Sequence, residues 1–262
     1  MTFSVTVLGS SSAIPTLTRN PSAHLLNANE RLFLLDCAEG TQLRLRQQKV
    51  HFQRIKHIFI THLHGDHYYG LIGLLTTFHL LGRKDLLQIH AHPMLEEIIR
   101  IQLEASQTVL NYPVRFHRLN ETGVDVVYED ERIVGYSFPL RHSIPTCGFI
   151  FREKIQVRKQ SEKRSYAYCT DTIYDESVIP VIRKVSLLYH EATFMRSMAA
   201  AAAEKMHATT TEAATIALKA EAGKLLIGHF SARYDDAIPL LEEARAIFPD
   251  TLLAEDGFHI EL

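Results

Sequence analysis

Short apolar runs closed by turn residues alternate along this chain with stretches whose apolar side chains recur every three or four positions. In the first half, Ser4 to Leu8 stops at Gly9, Leu32 to Leu35 stops at Asp36, and His57 to Ile60 stops at a histidine-rich run. Apolar runs of this length, bounded by polar or turn residues, predict strands. Gly70 to Leu81 and Met94 to Leu103 carry the helical period instead. The second half repeats the alternation, with strands predicted over Gly148 to Arg152, Tyr166 to Cys169, Ser186 to Tyr189 and Leu225 to Ile227. The strongest helix signal precedes the last of these. Thr209 followed by Glu212 makes a capping box, in which side chains satisfy the free amides of the first turn. Ala213, Ile216, Ala217 and Ala220 then share one face, and Gly223 is expected to close the helix. Strands and helices alternating in both halves predict an α/β fold, whose ligands gather in loops at strand ends.

Composition narrows this picture without naming a chemistry. At 262 residues and 46% apolar, the chain can bury a large core, and with no internal repeat or composition break it reads as one domain over 1–262. A formal net charge of −2 gives no global basic field, so a polyanion would have to be met by a local patch. No stretch reaches the roughly 18 uninterrupted apolar residues of a membrane helix. The N-terminus lacks the basic flank and apolar core of a signal peptide, so a cytoplasmic protein with no membrane partner is expected. Cys37, Cys147 and Cys169, odd in number and widely spaced, suit buried free thiols in a reducing compartment. Ala199 to Ala203 predicts a helical surface segment with no expected function. The 15 histidines change the picture most, because neutral imidazole is the commonest metal ligand near pH 7.

His62, His64, Asp66 and His67 fall within six residues directly after a predicted strand. Zinc takes imidazole nitrogen and carboxylate oxygen, but adjacent side chains such as Asp66 and His67 diverge, so one short loop cannot wrap a single ion with all four. Two metals sharing the loop is the better solution, and Gly65 permits the tight turn. His90 and His92 also alternate on a strand, but a structural or surface role is expected there.

The run has the HxHxDH form of the metallo-β-lactamase superfamily. Asp36-Cys37-Ala38-Glu39-Gly40-Thr41-Gln42 looks like that superfamily's segment after an early strand. His190-Glu191-Ala192-Thr193-Phe194, His207-Ala208-Thr209 and His229-Phe230-Ser231-Ala232-Arg233-Tyr234 are more specific, and in this order they resemble the ribonuclease Z family of tRNA 3′-processing endonucleases. Ile14 to Ser22 also resembles the family's first loop near the site.

The resemblance implies a four-layer αββα sandwich of two mixed sheets flanked by helices. It implies two Zn2+ per subunit, one held by His62, His64 and His142, the other by Asp66, His67 and His229, with Asp171 bridging. Two such ions stabilise both the entering and the leaving oxygen of a phosphoryl displacement, so a zinc-dependent phosphodiesterase is expected. Asp66 would orient the attacking water or take its proton, Glu191 would hold His207 as the proton donor, and Ser231 and Arg233 would meet substrate phosphate. His190 is expected to orient neighbours without ligating. The partners implied are precursor tRNA, trimmed of its 3′ trailer, and a second copy of the chain in a homodimer. Bacterial members grip tRNA with an arm between the third histidine ligand and the bridging aspartate, and the stretch from His142 to Asp171 is too short for a full one. Its basic segment at 152–165 reads as an arm remnant, a solvated hairpin, or the flank of an arm missing from the chain. The alternative function is hydrolysis of small phosphodiesters or of sulfate or phosphonate esters. A binding subunit that had kept the fold would require a broken ligand set.

Overall fold

The structure is a computed structural model that describes residues 2–154 and 163–262. Eight residues of the basic 152–165 segment, 155–162, therefore lie outside the described residues. Two of its described members are tied to the fold. Arg152 Nη2 donates to the carbonyls of Val181 and Arg183, and Lys154 Nζ to Glu129 and the Asp130 carbonyl.

Among the described residues the strands form two seven-stranded sheets. The first holds β1 (Phe3–Gly9), β2 (Ala23–Ala28), β3 (Arg31–Leu35), β4 (Ile55–Phe59), β5 (Leu87–Ala91) and β6 (Val114–Arg118). The second holds β7 (Asp125–Glu129), β8 (Ile133–Leu140), β9 (Thr146–Glu153), β10 (Ser165–Cys169), β11 (Leu187–Glu191), β12 (Leu225–Gly228) and β13 (Thr251–Leu253). β14 (His259–Glu261) crosses back to pair antiparallel with β1. Both sheets are mixed: β1, β2 and β3 pair antiparallel while β3 to β6 run parallel, and β7 to β10 pair antiparallel while β10 to β13 run parallel. The helices are α1 (Thr41–Gln47), α2 (Gly65–Tyr68), α3 (Leu71–Leu80), α4 (Met94–Ala105), α5 (Ile179–Ile182), α6 (Ala199–Glu204), α7 (Thr210–Lys219) and α8 (Ile238–Arg245).

Period-two alternation sorts the core into layers. Phe3, Val5, Val7, Phe33, Phe59, Phe149, Phe151, Tyr166 and Tyr168 fill the space between the sheets. Leu32, Leu34, Ile58 and Ile89 point the other way, against Leu45 of α1, Leu74 and Phe78 of α3, and Ile99 of α4. Ile150, Ala167, Leu188 and Ile227 pack on Ala213, Ile216 and Ala217 of α7 and Leu240 of α8. The expected four layers of helix, sheet, sheet and helix are the observed ones, and the small face of α7 lets that helix lie close to its sheet.

The capping box at Thr209 forms as expected. Gly223 does not close α7. The helix ends at Lys219, Glu221 takes the left-handed turn at φ 54°, and Gly223 is needed because a Cβ there would stand 2.8 Å from the Ser186 carbonyl oxygen. The predicted strand Ser186 to Tyr189 runs on through Glu191, since His190 and Glu191 continue the ladder to Ile227 and Gly228.

Several histidines are structural. His90 stacks on Phe59 and His117 across the in-register strands β4, β5 and β6, and joins His57 in a hydrogen-bonded chain with Gln88 and His117. His92 accepts the Met94 amide and faces Glu121, so it forms no metal pair with His90. His24, fully buried between the sheets, bonds Tyr166 Oη through Nδ1 at 2.7 Å.

Burial pushes His24 from 6.5 down to about 3, so on acidification the unfolded chain binds this proton before the folded one does. The neutral ring's contribution is complete above pH 6.5 and is lost as the pH falls toward 3. Between pH 6 and 4, urea unfolding should show the wild type losing up to ~1.4 kcal/mol per pH unit more than His24→Phe. Equal pH dependence of the two proteins would contradict the assignment.

Candidate metal centre

The chemistry-bearing side chains meet where the C-terminal ends of β3, β4, β10, β11 and β12 converge. The chain bends sharply there: Asp36, Asp171 and His229 all take left-handed backbone, at φ 58°, 49° and 59°. Residues other than glycine hold that conformation only where the surroundings enforce it. The two sheets are joined at this point by the Cys147 amide donating to the Thr61 carbonyl.

Two buried carboxylates organise the imidazoles. Asp36 accepts from the Thr61 amide at 2.8 Å, Thr61 Oγ1 at 3.0 Å, His67 Nδ1 at 2.7 Å and Tyr168 Oη at 3.1 Å. Thr61 Oγ1, its proton committed to Asp36, accepts from His62 Nδ1 at 3.0 Å. Glu191 does the same in the second sheet. It accepts from the Thr172 amide at 2.7 Å, Thr193 Oγ1 at 2.5 Å and His207 Nδ1 at 2.9 Å, and Thr193 Oγ1 in turn accepts from His229 Nδ1 at 2.9 Å. His142 Nδ1 donates to the Met206 carbonyl at 2.9 Å. With Nδ1 protonated in each of His62, His67, His142 and His229, the Nε2 lone pairs all face inward, the tautomer a metal ligand needs.

Three overlapping ligand groups result, all containing Asp171: two are built from the expected metal ligands, and the third sets Asp171 and His229 beside Glu191 and His207. In the first, His64 Nδ1 lies 2.9 Å from His62 Nε2 and 3.2 Å from His142 Nε2, with Asp171 Oδ2 3.2 Å and 3.6 Å from those two Nε2 atoms. In the second, His67 Nε2 lies 3.4 Å from both Asp66 Oδ2 and Asp171 Oδ2, and His229 Nε2 lies 3.0 Å from Asp171 Oδ1 and 3.7 Å from Asp66 Oδ2. Within each group the ligand atoms all lie within 4.8 Å of one another. Nε2 of His67 and of His229 is buried without a hydrogen-bond partner. Inward lone pairs facing carboxylate oxygens repel unless a cation lies among them, so the residues fit divalent metal.

The same conflict appears in the proton affinities. Burial opposes charge on His67 and His229, yet Asp171 and its neighbours outweigh it, raising His67 well above its usual value and His229 to about 10. Burial would raise Asp66 and Asp171, but the facing histidines push both well below the carboxylate range. His62, where burial dominates, falls to about 4.

The structure thus brings His62, His64, Asp66, His67, His142, Asp171 and His229 together, with the Glu191 and His207 pair alongside. His190 turns away and bonds the Glu191 carbonyl at 2.8 Å. Arg233 sits over the Phe194 ring at 5.0 Å with its Nε on Ser231 Oγ at 3.1 Å. A cleft of about 360 Å³ opens over the cluster, and its walls include Ser12, Ser143 and Lys205 but neither Ser231 nor Arg233. Sequence reasoning missed Asp36, Thr61 and Thr193 as holders of the imidazoles. Their signal was present, since each is adjacent to or within a quoted motif.

Comparison with known proteins decides the family. The chain is 40% identical to ribonuclease Z of Phocaeicola vulgatus, over 99% of this chain and 97% of that one. It belongs to the ribonuclease Z family. A family model described as Anti-Pycsar protein Apyc1 also matches residues 3–246, so the chain falls within that family as well. Human tRNase Z, short form, superposes with a TM-score of 0.82 at 32% identity, covering 98% of each chain. The metallo-β-lactamase fold protein YhfI of Bacillus subtilis, at 20% identity and TM-score 0.78 over the whole of both chains, shows the same fold. This ribonuclease Z family member is therefore a metal-dependent hydrolase. The alignment with the Phocaeicola protein runs over 301 positions against 262 residues here, so that relative carries residues this chain lacks.

Asn at position 36 tolerates the left-handed backbone but offers one acceptor oxygen where the carboxylate offers two. Asp36→Asn should weaken zinc binding by about 10- to 100-fold in a chelator competition while far-ultraviolet circular dichroism stays unchanged. Unchanged affinity would mean that Asp36 does not orient the ligands.

Proposed function

We propose that this family member is a zinc-dependent endoribonuclease that removes the 3′ trailer of precursor tRNA. One zinc would be held by His62, His64 and His142, the other by Asp66, His67 and His229, with Asp171 between them. When bound, the pair would supply Lewis acidity and charge neutralisation to the phosphoryl group. The observation that carries the reading is the contact of His207 with Glu191 at 2.9 Å, beside the two ligand groups built from the expected metal ligands.

Each remaining duty falls to a named side chain. Asp66 contributes a carboxylate kept ionised by the facing His67 and His229 despite its burial, able to orient the attacking water through a hydrogen bond. Burial opposes charge on His207, but Glu191 outweighs it and raises its pKa, so the imidazole can carry a proton near neutral pH. That proton goes to the departing 3′ oxygen, and Glu191 stabilises the imidazolium until it leaves. Ser231 and Arg233 stand outside the cleft walls, where they suit a phosphate further along the RNA. The names of the relatives at 40% and 32% identity support RNA as the substrate. A second reading, hydrolysis of small phosphodiesters or of sulfate or phosphonate esters, is favoured by the shorter length of this chain and keeps every residue in its role.

Leu43 on α1 and Leu80 on α3, 57% and 77% exposed, share one surface with Leu81. We propose that the chain forms a homodimer through this face. Three buried free cysteines suit a cytoplasmic protein, and no described helix is long and apolar enough to cross a membrane.

His207→Ala should lower kcat by about 10²- to 10⁴-fold while zinc content stays at the wild-type level, and zinc lost in proportion to activity would remove the acid role. Cleavage of precursor tRNA should greatly exceed that of bis-p-nitrophenyl phosphate and weaken with added salt. Comparable rates on the two substrates, or indifference to salt, would favour the small-molecule reading. Leu43→Glu with Leu80→Glu should shift sedimentation from dimer to monomer, and an unchanged dimer would move the interface elsewhere.

A further inference from the structure

The alanine run leads into a turn whose first residue, Lys205, has no part in any of these roles. Ala199 to Ala203 form most of α6, a helix whose Ala202 is buried and whose end is closed by the Lys205, Met206 and His207 amides on the carbonyls of Ala201, Ala203 and Ala202. Met206 then turns the chain through left-handed backbone at φ 59°. The turn is fastened to the centre twice, because the Met206 carbonyl holds His142 Nδ1 and His207 Nδ1 is held by Glu191, each at 2.9 Å. Lys205 is the residue before these two anchors, so its backbone is fixed relative to the metal ligands, and it is among the residues that line the cleft over them.

We propose that Lys205 seats the substrate phosphodiester over the metal centre. The inference rests on the phosphodiesterase reading above and adds a binding residue to it. Lys205 is exposed and has no ion pair among the described residues. Neighbouring cations stand outside the cleft walls: Arg233 lies over Phe194 and on Ser231, and Arg19 Nη2 donates to the Tyr234 carbonyl. Among the described residues that line the cleft, Lys205 is the one lysine or arginine, so it is the wall group able to pair with an anionic phosphodiester. A lysine ammonium acts as a point charge with rotatable donors, suited to a non-bridging phosphate oxygen whose angle of approach varies with the nucleotides attached. Ser143 also lines this cleft.

The test compares zinc-loaded wild type, Lys205→Met, Lys205→Arg and the remote control Lys84→Met on bis-p-nitrophenyl phosphate and on precursor tRNA. Lys205→Met should raise KM on both substrates by about 10- to 100-fold, with kcat changed much less. Lys205→Arg should recover most of the loss, and Lys84→Met should behave as wild type. A second readout needs no turnover. Binding of metal-free protein to precursor tRNA, followed by fluorescence anisotropy across salt concentrations, should lose about 0.7 to 0.9 from the slope of log K against log salt in Lys205→Met alone. Wild-type KM in Lys205→Met on bis-p-nitrophenyl phosphate would overturn the inference and leave the phosphodiesterase reading standing. A wild type that cleaves bis-p-nitrophenyl phosphate but neither binds nor cleaves precursor tRNA would remove RNA as substrate, and the KM comparison would still decide Lys205. A wild type inactive on both would remove both.

Discussion

Two carboxylates removed from water, Asp36 at the end of β3 and Glu191 at the end of β11, set the rest of the site. A buried carboxylate is costly unless donors surround it, and here the donors are the side chains and amides that carry the metal-facing imidazoles. Asp36 holds His67 directly and His62 through Thr61; Glu191 holds His207 directly and His229 through Thr193. Each carboxylate also accepts a backbone amide, Thr61 and Thr172 respectively, which fixes the loops that supply His62 and Asp171. The satisfaction of two buried charges and the orientation of four imidazoles are the same set of hydrogen bonds.

The double-sheet architecture is what makes that possible. Each sheet contributes one carboxylate and its dependents at the ends of its parallel strands, and the core of Phe, Tyr and Val side chains between the sheets keeps the two halves in register. Left-handed backbone at Asp36, Asp171 and His229 is the local cost, and the hydrogen bonds around Asp36 and Glu191 help to hold it. The proton affinities follow from this packing. Imidazoles fixed as inward acceptors beside ionised carboxylates bind either protons or a metal, so acid competes with metal at the same atoms.

Much of this was legible in the sequence, and the limits were physical. The run His62 to His67, the strands before Asp36 and His229, and the α7 capping box are local patterns whose outcome depends on near neighbours. The pairing of Glu191 with His207 and the entry of His142 came from motif resemblance, because no local rule brings residues so far apart together. Strands such as β2 and β8 were not predicted, since they gain their stability from sheet pairing that a single segment does not display. Thr61 and Thr193 resemble ordinary strand-end residues until the carboxylates behind them are seen. Lys205 was hidden for another reason: it follows a run of alanines with no chemistry of its own, and its position depends on two long-range contacts made by the next two residues.

Anomalous X-ray diffraction at the zinc edge, on protein reconstituted with zinc, tests the central claim most directly. The account predicts two anomalous peaks per chain, one against His62, His64 and His142 and one against Asp66, His67 and His229, with Asp171 touching both. A single peak, or zinc bound away from these residues, would contradict it.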